Sequence, residues 1–121
     1  MEKEIRILIL GDVPARAVLM EFELRRAEIP FISKTVKTRD DFVRELHDFT
    51  PDVILSDYYL PALAGSEALN IAQEKAPHVP FILVTGELSE EDSVELLKKG
   101  AAYVLQDNLS KLPSVLLRAL R

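Results

Sequence analysis

No cysteine occurs among the 121 residues, which removes disulfides, a thiolate nucleophile and every Cys-containing metal site from the candidate chemistry. No uninterrupted apolar run approaches the roughly 18 residues of a membrane span. The opening Met-Glu-Lys-Glu carries acids ahead of the first apolar stretch, unlike the basic start of a secretory signal. A soluble, unexported, cytoplasmic protein without membrane insertion is expected. Positive charge is in deficit: 15 Lys and Arg stand against 20 Asp and Glu, for a formal charge of -5. Phosphate backbones are bound by Lys and Arg that replace counter-ions, so direct contact with nucleic acid is not expected. A glycine-rich phosphate loop is missing too, since Gly11 stands alone after the first apolar run, and this argues against a nucleotide site. Without a linker or an internal repeat, residues 1–121 read as one domain, large enough to bury a core and too small to add a separate output module.

What is present is an alternation. Apolar runs of four to six residues at 5–10, 53–56, 81–84 and 102–105, with a fifth strand expected at 31–36, alternate with segments of helical period. That is the pattern of a parallel sheet wrapped by helices. Pro14 suits a first helical turn, and a helix over 14–27 places Ala15, Val18, Leu19 and Phe22 on one face, taken as the core face. Thr38 followed by Asp41 marks the start of a second helix at 39–49, with Phe42, Leu46 and Phe49, and Pro51 ends it. Gly65 opens a third helix with Ala68, Ile71, Ala72 and Ala76, and Pro77 and Pro80 bracket the turn that follows. Ser89 with Asp92 caps a fourth, stopped at Gly100, and a fifth runs from Ser110 to Arg121 with Leu112, Val115, Leu116 and Leu120. The acids Glu87, Glu90, Glu91, Asp92 and Glu95 fit a solvated helix start favoured by the macrodipole.

Three strand ends each deliver one polar residue: Asp12 after Ile7–Leu10 and Gly11, Asp57 after Ile54-Leu55-Ser56, and Thr85 after Phe81–Val84. Right-handed crossovers in a doubly wound sheet place the ligand site at such ends, beside the switch in strand order. With the order 2-1-3-4-5, the first and third strands are neighbours at the switch, and Asp12 and Asp57 face each other across it. Carboxylate, carboxylate and hydroxyl are the groups a magnesium-assisted phosphoryl transfer uses, with a carboxylate as acceptor. Taken singly, each has a plainer role: Asp57 as a turn residue, Asp12 as a helix N-cap, Thr85 as an ordinary strand end.

The segment Ile54-Leu55-Ser56-Asp57-Tyr58-Tyr59-Leu60-Pro61, with Gly65 beyond it, Thr85-Gly86, Tyr103 and Asp107-Asn108-Leu109-Ser110-Lys111-Leu112 together resemble the receiver domain of two-component response regulators, over the whole chain. The resemblance implies a flavodoxin-like α/β fold, a five-stranded parallel sheet with five helices on both faces. It implies that Asp57 accepts a phosphoryl group from a histidine kinase, and that Mg2+ is held by Asp12, Asp57 and the main-chain carbonyl of Tyr59. It also implies that Thr85 and Tyr103 switch the face formed by helix four, strand five and helix five. Its partners are a sensor histidine kinase or phosphotransfer protein, and a downstream protein target or fused output domain.

Two positions depart from that family's pattern. Gly11 stands where the first of two adjacent acids is usual, and Gln106 stands where a lysine is usual, one residue early. A glutamine donates only a neutral hydrogen bond, and charge-assisted bonds are about twice as strong. The alternative is therefore a phosphorylation-independent interaction module on the same fold. No enzyme is expected: a phosphohydrolase using Asp57 as nucleophile would need an acid two residues on, where Tyr59 stands. His47 and His78, on a helix and in a proline-flanked loop, are expected to be solvated and without a catalytic part.

Overall fold

The computed structural model of the chain describes residues 4–57, 65–85, 90–106 and 109–120. Five strands, β1 (Ile5–Leu10), β2 (Phe31–Val36), β3 (Val53–Asp57), β4 (Phe81–Thr85) and β5 (Tyr103–Gln106), alternate with helices α1 (Pro14–Arg26), α2 (Arg39–Asp48), α3 (Gly65–Lys75) and α4 (Glu90–Lys98). A 3₁₀ turn at Leu109–Lys111 leads into α5 (Leu112–Ala119). The strands pair in parallel in the order β2-β1-β3-β4-β5. The order 2-1-3-4-5 that goes with the flavodoxin-like fold implied by the resemblance is the one observed.

The two-residue period of a strand divides the core. Ile7, Ile9, Val53, Leu55, Ile82, Val84 and Leu105 face one side and pack with Ala17, Met20 and Leu24 of α1 and Leu112, Val115 and Leu116 of α5. Leu8, Leu10, Ile54, Phe81 and Leu83 face the other, against Phe42 and Leu46 of α2, Ala68, Leu69, Ile71 and Ala72 of α3 and Leu96 of α4. Strands buried on both faces explain why β1, β3 and β4 read as continuous apolar runs rather than alternating ones.

Local signals are obeyed at most helix ends. Thr38 accepts the Asp41 N–H at 3.1 Å and caps α2. Gly100, at φ 115°, lets the chain leave α4, with the Ala101 N–H returning to the Leu96 carbonyl at 3.1 Å. The last segment begins as a 3₁₀ turn and becomes α-helical only at Leu112, where Pro113 occupies the first turn. The expected cap at Ser89 lies outside the described residues.

One expectation is corrected. The face of α1 bearing Ala15, Val18, Leu19 and Phe22 points to solvent, with Val18 59%, Leu19 51% and Phe22 56% exposed. The buried residues are Ala17, Met20 and Leu24. Apolar and charged residues are interspersed all round α1, so period alone does not choose its face. The sheet takes the ridge that runs at four-residue spacing through position 16, Met20 and Leu24.

Candidate functional site

Asp57 ends β3, and its parity continues Val53 and Leu55, so its side chain belongs to the side of the sheet covered by α1. It is 4% exposed. A buried carboxylate requires a partner, and α1 supplies one: Arg16 Nε donates to Asp57 Oδ2 at 2.8 Å. Arg16 lies in the first turn of α1, a turn with no acid, on the same ridge as Met20 and Leu24. The Arg16 side chain is about one third exposed while that of Asp57 is nearly covered, at 35% and 6%. Arg16 was not among the residues expected at the site. The signal was a lone base at a helix start, where the macrodipole disfavours a cation.

The strand register arranges the rest. Leu10 pairs with Ser56 and Asp57 pairs with Val84, so Gly11 sits level with Asp57 and Thr85 one step beyond it. A Cβ at Gly11 would lie 3.6 Å from the Asp57 Cβ, in ordinary contact. Thr85 is fully buried, and it pairs in register with Gln106 of β5. Asp12 is exposed and lines an open groove of about 480 Å³ with Glu21, Thr35, Lys37 and Asp41. It is not the N-cap of α1, a position held by Val13 without a side-chain bond. Tyr103 is half-buried at the start of β5 against the α1 and α5 core. Tyr59, Gly86 and Glu87 lie outside the described residues, as does the side chain of Gln106. His47 and His78 are both exposed; His47 Nδ1 stands 2.8 Å from Asp48 Oδ1.

A doubly wound parallel sheet with a buried acid at the switch between β1 and β3 defines an α/β domain whose site lies at the carboxyl ends of its strands. The profile of the response regulator receiver domain matches residues 7–113. The chain belongs to the response regulator receiver family. It is 30% identical over 109 residues to protein-glutamate methylesterase/protein-glutamine glutaminase 2 of Methanosarcina mazei, covering 88% of this chain and 29% of that protein. It is 35% identical over 66 residues to the regulatory protein LuxO of Vibrio cholerae serotype O1, covering 54% of this chain and 14% of that protein. This chain thus spans less than a third of the length of either relative.

Among solved structures, a CheY-like response regulator receiver domain protein from Methanospirillum hungatei superposes with a TM-score of 0.83 at 26% identity, covering 98% of this chain and 94% of that one. The receiver domain of NtrX from Brucella abortus superposes with a TM-score of 0.83 at 22% identity, covering 94% and 97%. At that identity the second shows the fold alone. No described helix is long and apolar enough to cross a membrane.

Proposed function

We propose that residues 1–121 form one receiver domain in which Asp57 accepts a phosphoryl group from a histidine kinase or phosphotransfer protein in the cytoplasm, and that the domain is regulatory rather than enzymatic. The observation that carries this reading is the burial of Asp57 at the switch point, on the end of a strand fixed on both sides. Magnesium takes oxygen ligands, and Asp57 at the end of β3 and Asp12 just beyond the end of neighbouring β1 are of that type. Among the described residues no three of His, Cys, Asp or Glu converge, so the main-chain carbonyl of Tyr59 and water would complete the set. The residues fit a magnesium ion with fewer acids than the family usually offers. Bound there, the ion offsets charge on the transferring group.

The chain's own residues do the positioning. β3 holds the Asp57 carboxylate in one place, Thr85 lies one register step away with its hydroxyl buried, and Gln106 follows it across β5. When Asp57 carries a phosphoryl group, Thr85 turns toward it and Tyr103 packs inward. The surface of α4, β5 and α5 then passes between two packings, a population shift read by a downstream protein or a fused output domain.

Intact mass after incubation with acetyl phosphate and magnesium tests this reading, with chelator and Asp57→Asn as controls. A magnesium-dependent gain of one phosphoryl group that the Asn variant lacks is expected. No gain from folded protein, with acetyl phosphate or with its kinase, would leave an interaction module that works without phosphorylation.

A further inference from the structure

We propose that Arg16 is the resident counter-ion of Asp57: it holds Oδ2 against a divalent cation until one displaces it, and it then supplies to the phosphoryl group the positive charge that Gln106 lacks. The proposal rests on the reading of Asp57 as phosphoryl acceptor, and three independent features of the chain lead to it.

The first is placement. A cation in the first turn of a helix opposes the helix dipole, and α1 has no acid in that turn to offset it. The compensation is Asp57, which Arg16 reaches from the sheet-facing ridge of α1 with a 2.8 Å bond to a carboxylate only 6% exposed. Breaking such a pair leaves an uncompensated buried charge, so the contact is a property of the resting site and not a rim decoration.

The second is what surrounds it. Gly11 brings its backbone beside Asp57 and adds no carboxylate, and the space a Cβ would take there is open to ordinary contact. With Gly11 in place of an acid, one guanidinium and Asp57 form a compact pair of opposite charges. A site with several acids and no arginine draws in a divalent ion to relieve repulsion. Here the relief is built in, and an arriving ion meets a fixed positive charge on the oxygen it needs.

The third is chemical capacity. The bond to Oδ2 uses the Nε hydrogen, which leaves the Nη hydrogens of a side chain one third exposed for a second acceptor. Guanidinium suits phosphoryl oxygens in a way that a neutral amide does not. In transfer from a phosphorylated histidine, an Asp57 oxygen forms the new O–P bond while the P–N bond breaks. Its electron pair returns to the imidazole nitrogen, and the ring, protonated on its other nitrogen, leaves neutral. Negative charge then lies on the phosphoryl oxygens beside Arg16.

The test uses the whole chain, labelled with nitrogen-15, as wild type, Arg16→Gln, Arg16→Lys and Asp57→Asn. Magnesium is titrated against the amide resonances of Gly11 to Val13, and the rate of phosphoryl gain from acetyl phosphate is followed by intact mass. Arg16→Gln is expected to bind magnesium about threefold or more tighter than wild type, since a competing charge has gone. It is also expected to gain phosphate about tenfold more slowly at saturating magnesium, as loss of a charge-assisted contact implies. Arg16→Lys should lie between the two and keeps the test available if the glutamine variant does not fold.

Magnesium affinity unchanged in both Arg16 variants overturns the proposal. Tightened magnesium with an unchanged rate overturns its phosphoryl-holding half. If the wild type gains no phosphate while Arg16→Gln still tightens magnesium, the acceptor reading fails and the counter-ion stands. If the wild type gains phosphate and Arg16→Gln matches it in both measurements, the reverse holds.

Discussion

The Cβ position of Gly11 lies 3.6 Å from the Asp57 Cβ, which makes a two-residue contact of a site where an acid would crowd a second acid. Gly11→Asp therefore fits sterically and adds a carboxylate beside a buried one. Like charges at that separation destabilise the metal-free fold, by roughly 1 kcal/mol or about 4 °C for a domain of this size. Magnesium should restore the loss, so that its addition raises the melting temperature of Gly11→Asp by more than that of the wild type. A differential melt with magnesium and with chelator checks this; equal shifts would mean that position 11 does not look onto the metal site.

Gly100 holds φ at 115°, and a Cβ there would strike the Gln73 side chain of α3. The backbone opposes a side chain, while the amide end of the exposed Gln73 can swing aside. Gly100→Ala is expected to destabilise by more than about 1 kcal/mol. Urea unfolding should show a lower midpoint with the slope preserved.

Thr50 is β-branched at φ 47°, with its hydroxyl on the carbonyl of Phe49 at 2.7 Å. A left-handed conformation disfavours such a residue, while asparagine tolerates it. Thr50→Asn should raise stability by about 1 kcal/mol, read as a higher melting temperature; no change would show that the hydroxyl bond offsets the strain.

Ser56 is fully buried and its Oγ has no hydrogen-bond partner among the described residues. Removing an unsatisfied hydroxyl from a core costs little and relieves its desolvation. Ser56→Ala should leave stability unchanged or raise it by up to about 1 kcal/mol. A loss above that range in chemical denaturation would reveal a partner for the hydroxyl.

The strands were legible in the sequence to within a residue because β1, β3 and β4 are buried on both faces, and burial writes itself as an unbroken apolar run. The acid at the end of β3 was legible for the same reason, standing as the first charge after such a run. The face of α1 was not. Its apolar residues surround the helix, and the sheet resolves the choice by taking Met20 and Leu24 and leaving Val18, Leu19 and Phe22 outside. Arg16 was missed with it, because a base on a helix reads as solvated until the strand parity that turns Asp57 toward α1 is known.

The outer strand β2 is the half-exposed member of the sheet, with Ile32 41% exposed on it. Its Lys34 projects from mid-strand to Glu45 of α2 at 3.3 Å, with the ammonium 5.7 Å from the centre of the Phe49 ring. A second sheet docking edge to edge would have to strip water from that tethered charge, the device by which outer strands avoid self-association. Neutralising Lys34 would take that charge from an outer strand on which Ile32 is already exposed, and would weaken its guard against pairing with another sheet.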